Sequence, residues 1–314
     1  MLTLLLSLSL GRYPIPLFEI LQRISGRPFS HSQMEAIFFN VRFPRIILAC
    51  LVGASLAASG ASYQGVFQNP LASPDILGAS SGAATGASLA ILLNLPSPMV
   101  TLFAFVSSLI VIAFVMFFGE CTRGKKIVGL ILAGLMVSAI CNAIGSFIKL
   151  AADPNNVLPE IIYYLMGSLA KSRARDIQFA FIPIVLGLVP LLIFRWRINL
   201  LTLGEDEALS MGINVRRLRS IVIISATLVT AAAVSVSGII GWAGLLIPHI
   251  CRRLVGNDFR KLLPSSILLG AIFLLIIDDI ARNLFASEIP LGILTSLLGA
   301  PFFLWLITRK GQIW

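Results

Sequence analysis

The sequence predicts an all-α, polytopic membrane protein with about ten crossings, on three observations. Of its 314 residues 57% are hydrophobic and only 12% are charged, a balance foreign to water-soluble domains of this length. Apolar runs of spanning length recur along the whole chain. Small residues recur at every fourth position in two of those runs, which lets helices approach closely in lipid, where burying Leu against Leu gains nothing. The longest polar stretch, 11–45, is only loop-sized, so residues 1–314 read as one transmembrane domain.

In chain order, the apolar run Leu2–Leu10 is too short to cross and reads as a first helix cut short. No basic segment precedes it, which argues against an intact signal peptide. Spans follow at about 46–66, 77–95, 99–118, 127–150, 177–194, 220–238, 263–281 and 289–308. The shorter run 239–251 counts separately, because Ser237-Gly238 breaks the helix before it. In the second span Gly53, Ala57, Ala61 and Gly65 form one small-residue column; Gly78, Gly82 and Gly86 form another in the third. Between them Gln68–Asp75 carries Pro70 and Pro74 in a segment too short and apolar for an aqueous loop. Broken backbone at membrane depth survives only inside protein or along a cavity. The columns therefore mean either tight packing or a helix pair built around a passage.

The net charge of +10 reads as topology before nucleic acid, because the basic residues flank apolar runs. With a cytoplasmic N-terminus, fourteen of the 24 Lys and Arg fall in short inner loops, among them Arg123, Lys125, Arg252, Arg309 and Lys310. Both termini are then cytoplasmic. Pro70 follows Ser59-Gly60, and Pro248 follows Ser237-Gly238, at the same ten-residue spacing from glycine to proline. Five spans separate the two units, so they run in opposite directions, as in inverted repeats. The four cysteines are isolated and suggest neither disulfides nor a metal site.

Arg42, Arg45 and Arg282 fall on the outer side against the charge rule, where a rigid guanidinium fork suits an acidic partner or lipid headgroups. Asp278 and Asp279 precede Arg282 by four and three residues and suit pairing with it. Acids within membrane helices also raise an ion- or proton-coupled transporter as an alternative. The inner segment Gly204-Glu205-Asp206-Glu207-Ala208 to Gly212 reads as a short helix with acids in its first turn. Asn214 caps the next one, so the short helix suits docking to a cytoplasmic partner. Gly119–Lys126 imitates a phosphate loop but has Lys126 where Ser or Thr is needed, so nucleotide must be handled by another chain. His249 after Pro248 reads as a hydrogen-bonded imidazole in a kinked helix; with His31 as the only other histidine, no metal site is expected.

Five motifs then carry a resemblance over essentially the whole chain: VRFPR (41–45), QNPLASPDILG (68–78), LGEDEALSMGINV (203–215), GWAGLLIPHICR (241–252) and IPLGILTSLLGAPFF (289–303). The chain resembles the permease subunits of ATP-binding-cassette (ABC) importers for iron–siderophores, haem, cobalamin and, in some members, molybdate or tungstate. The resemblance implies ten helices per subunit, a homodimer around a central pathway, two ATPase subunits inside and a binding protein outside, in a prokaryotic inner membrane. It implies no cofactor in this chain, with ATP and Mg held by the partner ATPase. Arg42, Arg45 and Arg282 match outer arginines that meet the binding protein, and 204–212 matches the helix seated in each ATPase. Helix five, with Leu132-Ala133-Gly134, is expected to line the pathway, with Ile127 and Val128 at the inner gate. These branched residues replace the small polar ones of other members. Met136, Ile140 and Phe147 form a bulky face on the same helix. The cargo stays open between a metal chelate and a metal oxyanion.

Overall fold

The computed structural model describes residues 2–11, 13–122, 126–285 and 287–308. Among these, fourteen α-helices and no strands occur. They are α1 (Leu2–Ser9), α2 (Leu17–Ile24), α3 (Ser32–Ile37), α4 (Phe43–Val66), α5 (Ala79–Leu92), α6 (Ser97–Cys121) and α7 (Lys126–Ala151). After them come α8 (Val157–Leu165), α9 (Ala174–Leu203), α10 (Glu205–Ser210), α11 (Val215–Ser237), α12 (Ala243–Val255), α13 (Phe259–Asn283) and α14 (Leu291–Thr308). A π-helical turn, Phe38–Arg42, fuses α3 to α4, and a 3-10 turn, Pro74–Leu77, precedes α5.

Among the described residues six helices are long and apolar enough to cross a bilayer: the fused α3–α4 unit, α6, α7, α9, α11 and α13. The remaining expected spans are shorter. The runs 77–95, 239–251 and 289–308 become helices of 14, 13 and 18 residues. Fourteen residues rise about 21 Å, short of a ~30 Å hydrocarbon layer, so α5 spans only in combination with the irregular segment before it. The polar stretch 11–45 is more ordered than a loop, because Ile15, Ile20, Phe29 and Phe38 close a small core under α2 and α3.

α4 is the central pillar, with 20 of its 24 residues buried. Its small-residue column explains why. A Cβ on Gly53 would strike the carbonyl of Gly270 in α13, and one on Gly270 would strike that of Gly53. Ala57 lies against Gly270, and Ala61 is fully buried. Gly60 faces the backbone of Gly244 in α12, and Gly65 leaves room for Ile198 and Phe259. On α5, Gly82 and Gly86 admit the α6 backbone at Ser107 and Phe103. These glycines are packing positions. Gly78 is different: its φ of +78° turns the chain from the 3-10 segment into α5.

The inverted repeat loses its register here. Gly60 lies inside an unbroken α4, whereas Gly238 (φ +69°) ends α11; Pro70 sits in a loop and Pro248 inside α12. Tight Gly60–Gly244 contact, not a break, explains the first glycine.

Deep in the bundle Tyr63 Oη and the Thr227 hydroxyl share a 2.6 Å hydrogen bond between α4 and α11. Tyr63→Phe leaves Thr227 without that partner and should cost about 1 kcal/mol, read as a lowered midpoint in thermal unfolding of the detergent-purified protein.

Candidate functional site at the two ends of the bundle

One end is closed by an ion network. Asp278, fully buried, accepts from Arg45 Nη2 at 2.8 Å and pairs with Arg282 Nε at 3.2 Å. Arg45 Nη1 reaches Glu288 at 2.9 Å. Arg282 also binds Asp279, which accepts from the Ser7 hydroxyl of α1 at 2.7 Å. Arg42 donates to the carbonyls of Leu8, Ser9 and Tyr13. The three arginines are only 3%, 5% and 7% exposed.

Arg42, Arg45 and Arg282, the residues expected to meet the binding protein, are therefore held together at one end of the bundle. Each guanidinium is turned inward, because acids and carbonyls from α1, α13 and the segment before α14 surround it. The expected pairing of Asp278 and Asp279 with Arg282 is present. The bonds from Asp278 and Glu288 to Arg45 bridge more than 230 positions of chain and leave no local signal.

At the opposite end, α10 projects as the short helix read from the sequence. Gly204 (φ +134°) admits it, and Gly212 (φ +78°) ends it. Ala208 is buried as its anchor, while Asp206 and Glu207 are exposed; the Glu205 side chain lies outside what is described. Leu209 and Met211 each stand 57% exposed, and Met211 lines a groove of about 790 Å³ whose walls include Trp196, Arg197 and Arg217. The Asn214 side chain caps α11 by accepting from the Arg217 N–H at 3.0 Å. Asp258 caps α13 through Arg260 N–H and takes a 2.7 Å bond from the Asn199 amide; these bonds hold its carboxyl below the usual range. Arg123, Lys125, Arg309 and Lys310, expected at this end, lie outside the described residues, as does part of the phosphate-loop lookalike.

α7 begins at the α10 end and presents one broad bare face. Ile127 is half-buried and Val128 half-exposed in its first turn; Met136 and Ile140 are 65% and 59% exposed further along. His249 is buried near the Phe303 ring, but its Nε2 has no hydrogen-bond partner among the described residues. No cluster of metal-ligating side chains occurs among the described residues.

The model of one family, the FecCD transport family, matches residues 1–309. The chain belongs to the FecCD transport family. Relatives include a Helicobacter pylori protein named a probable iron chelatin transport system permease, 44% identical over 88% of this chain and 84% of its own. The molybdate import permease MolB of Haemophilus influenzae is 38% identical over 96% and 90%. A solved structure described as a metal-chelate type ABC transporter, in an inward-facing conformation, superposes with a TM-score of 0.88 at 38% identity, covering 98% and 95% of the two chains. This FecCD chain is a multi-pass permease subunit of an ABC importer, not an enzyme. ATP is hydrolysed by a separate chain, and such permeases work with ATPases and binding proteins.

Proposed function

We propose that this permease forms a homodimer in a prokaryotic inner membrane, with both termini cytoplasmic, and imports a metal chelate or a metal oxyanion. Two ATPase subunits would dock on α10 and a binding protein at the Arg45 end. The observation that carries the reading is α10 itself: a short helix anchored by Ala208, with Leu209 and Met211 bare and Met211 lining a groove. Apolar side chains that project beyond the bundle at such a site suit the core of a partner interface. ATP and Mg belong to the partner; this chain needs no cofactor of its own. Arg42, Arg45 and Arg282 serve the surface on which that binding protein docks. Ile127 and Val128 act as the inner gate, with Met136 and Ile140 further along the same helix. The arrangement disfavours an ion-coupled mechanism on Asp278 or Asp279, whose charges are already engaged by Arg45 and Arg282.

In the reconstituted complex, a loaded binding protein should stimulate ATP turnover. Leu209→Asp with Met211→Asp should cut that stimulation about ten-fold or more, since losing buried apolar anchors at an interface commonly costs 2 kcal/mol or more. Uptake that persists without ATP and collapses with the proton gradient would overturn the reading.

A further inference from the structure

A cavity of about 470 Å³ lies at the Arg45 end of the bundle, and no residue of the ion network lines it. It is enclosed by the first turns of α6 and α9, by α8, by the last turn of α11 and by Asn40 and Val41 of the π-helical turn. Val41, Ile91, Val100 and Val236 give it apolar walls, while Lys171, Arg173 and Arg175 stand at its rim. Lys171 is engaged by Glu160 at 2.8 Å, and an Asp176 oxygen accepts from the Arg173 N–H at 2.8 Å. The Arg173 and Arg175 side chains are exposed and form no ion pair among the described residues. Ser172 between them keeps a buried hydroxyl with no partner among those residues. The N-termini of α6 and α9, whose dipoles favour anions, open on the same space.

Helix length sets the depth of this cavity. Gly65, one residue from the end of α4, packs on Phe259, which begins α13 at the α10 end. Counting back from Val66, about 20 residues or ~30 Å of helix reach Ile46, which is the thickness of a hydrocarbon core. Val41 stands about 7 Å beyond that point, at headgroup level. Nearer the bilayer centre the flanking helices turn apolar side chains outward, Leu102 and Val106 on α6, Phe181 and Ile182 on α9. Between them the Phe105 and Phe179 rings meet at 5.7 Å and close the seam. Cations above an apolar seam match a phosphate above its acyl chains. A soluble anion would use the cations and leave the seam bare; a docking protein would cover the rim and leave the apolar recess unfilled.

We propose that this cavity is a phospholipid site, in which Arg173 and Arg175 close on the phosphodiester, the Ser172 hydroxyl donates to it, and the acyl chains run down the seam between α6 and α9. Arginine forks suit phosphate oxygens, and the charge-assisted bonds they make are the stronger kind. A lipid held there ties α8 to the first turns of α6 and α9. The outer leaflet is assigned from the proposed orientation of the chain; the site itself does not depend on it.

The test uses the full-length permease, purified in detergent, stripped of native lipid and read by native mass spectrometry. It is titrated with dioctanoyl phosphatidylglycerol, with dioctanoylglycerol and with glycerol phosphate. The phospholipid should be retained, and each fragment should bind about ten-fold more weakly or worse, because each lacks one half of the contact. Arg173→Gln with Arg175→Gln should weaken phospholipid retention about ten-fold, whereas Arg195→Gln with Arg197→Gln at the opposite end of α9 should change it less than about two-fold. If the double variant does not fold, each single substitution should still weaken retention about three-fold. Equal binding of glycerol phosphate would make this a soluble-anion site and overturn the proposal. Retention that ignores Arg173 and Arg175 also overturns it, and if the same variants instead lose affinity for the binding protein, the rim is a protein contact. None of these titrations involves ATP turnover, so absent binding-protein stimulation would sink the importer reading and leave this result standing.

Discussion

Asp278→Ala is expected to destabilise the protein by about 3–5 kcal/mol, the usual cost of leaving buried charges without their partner. The carboxylate is fully buried and holds both Arg45 and Arg282. Among the described residues, its loss leaves Arg45 with Glu288 and Arg282 with Asp279 and Ser7. The check is thermal unfolding of the detergent-solubilised chain beside Asp279→Ala, which should be milder because Asp279 is partly exposed. Comparable losses from the two substitutions would contradict a central role for Asp278.

Gly60→Val is expected to be at least as severe. A side chain there would drive into the Gly244 carbonyl, and backbone on the facing helix cannot rotate aside as a side chain can. Overpacking of this kind typically costs 1–3 kcal/mol and more where nothing can yield. Loss of the monodisperse species in size-exclusion chromatography would report it. Gly145→Val is the control, because nothing lies within 4 Å of a Cβ at that site. Normal assembly of Gly60→Val would show that α4 and α12 are not held at the separation described.

Features written in local spacing were legible in the sequence. Small residues four apart announced the close helix contacts, a polar cap announced α11, and glycines bracketed α10. Features that depend on distant partners were not. The pairing of Arg282 with Asp278 and Asp279 was written in local spacing, whereas the bonds of Arg45 to Asp278 and Glu288, more than 230 residues away, and of Arg42 to the Leu8, Ser9 and Tyr13 carbonyls were not. The matched Ser-Gly pairs looked like two breaks, yet only Gly238 takes a left-handed conformation. Gly60 is there because another backbone crosses it, a requirement that arises only in three dimensions.

The glycine crossings of α4 with α12 and α13 also restrict how the molecule can change shape. Backbone approaches backbone at Gly53–Gly270 and Gly60–Gly244, with Ala57 and Leu274 packed beside them, so a shift of one turn would drive larger side chains into the facing carbonyls and these three rods resist sliding past one another. Movement during a transport cycle must then be borne by the rim, where α7 and α14 turn bare flanks outward, while the centre travels as one stiff block.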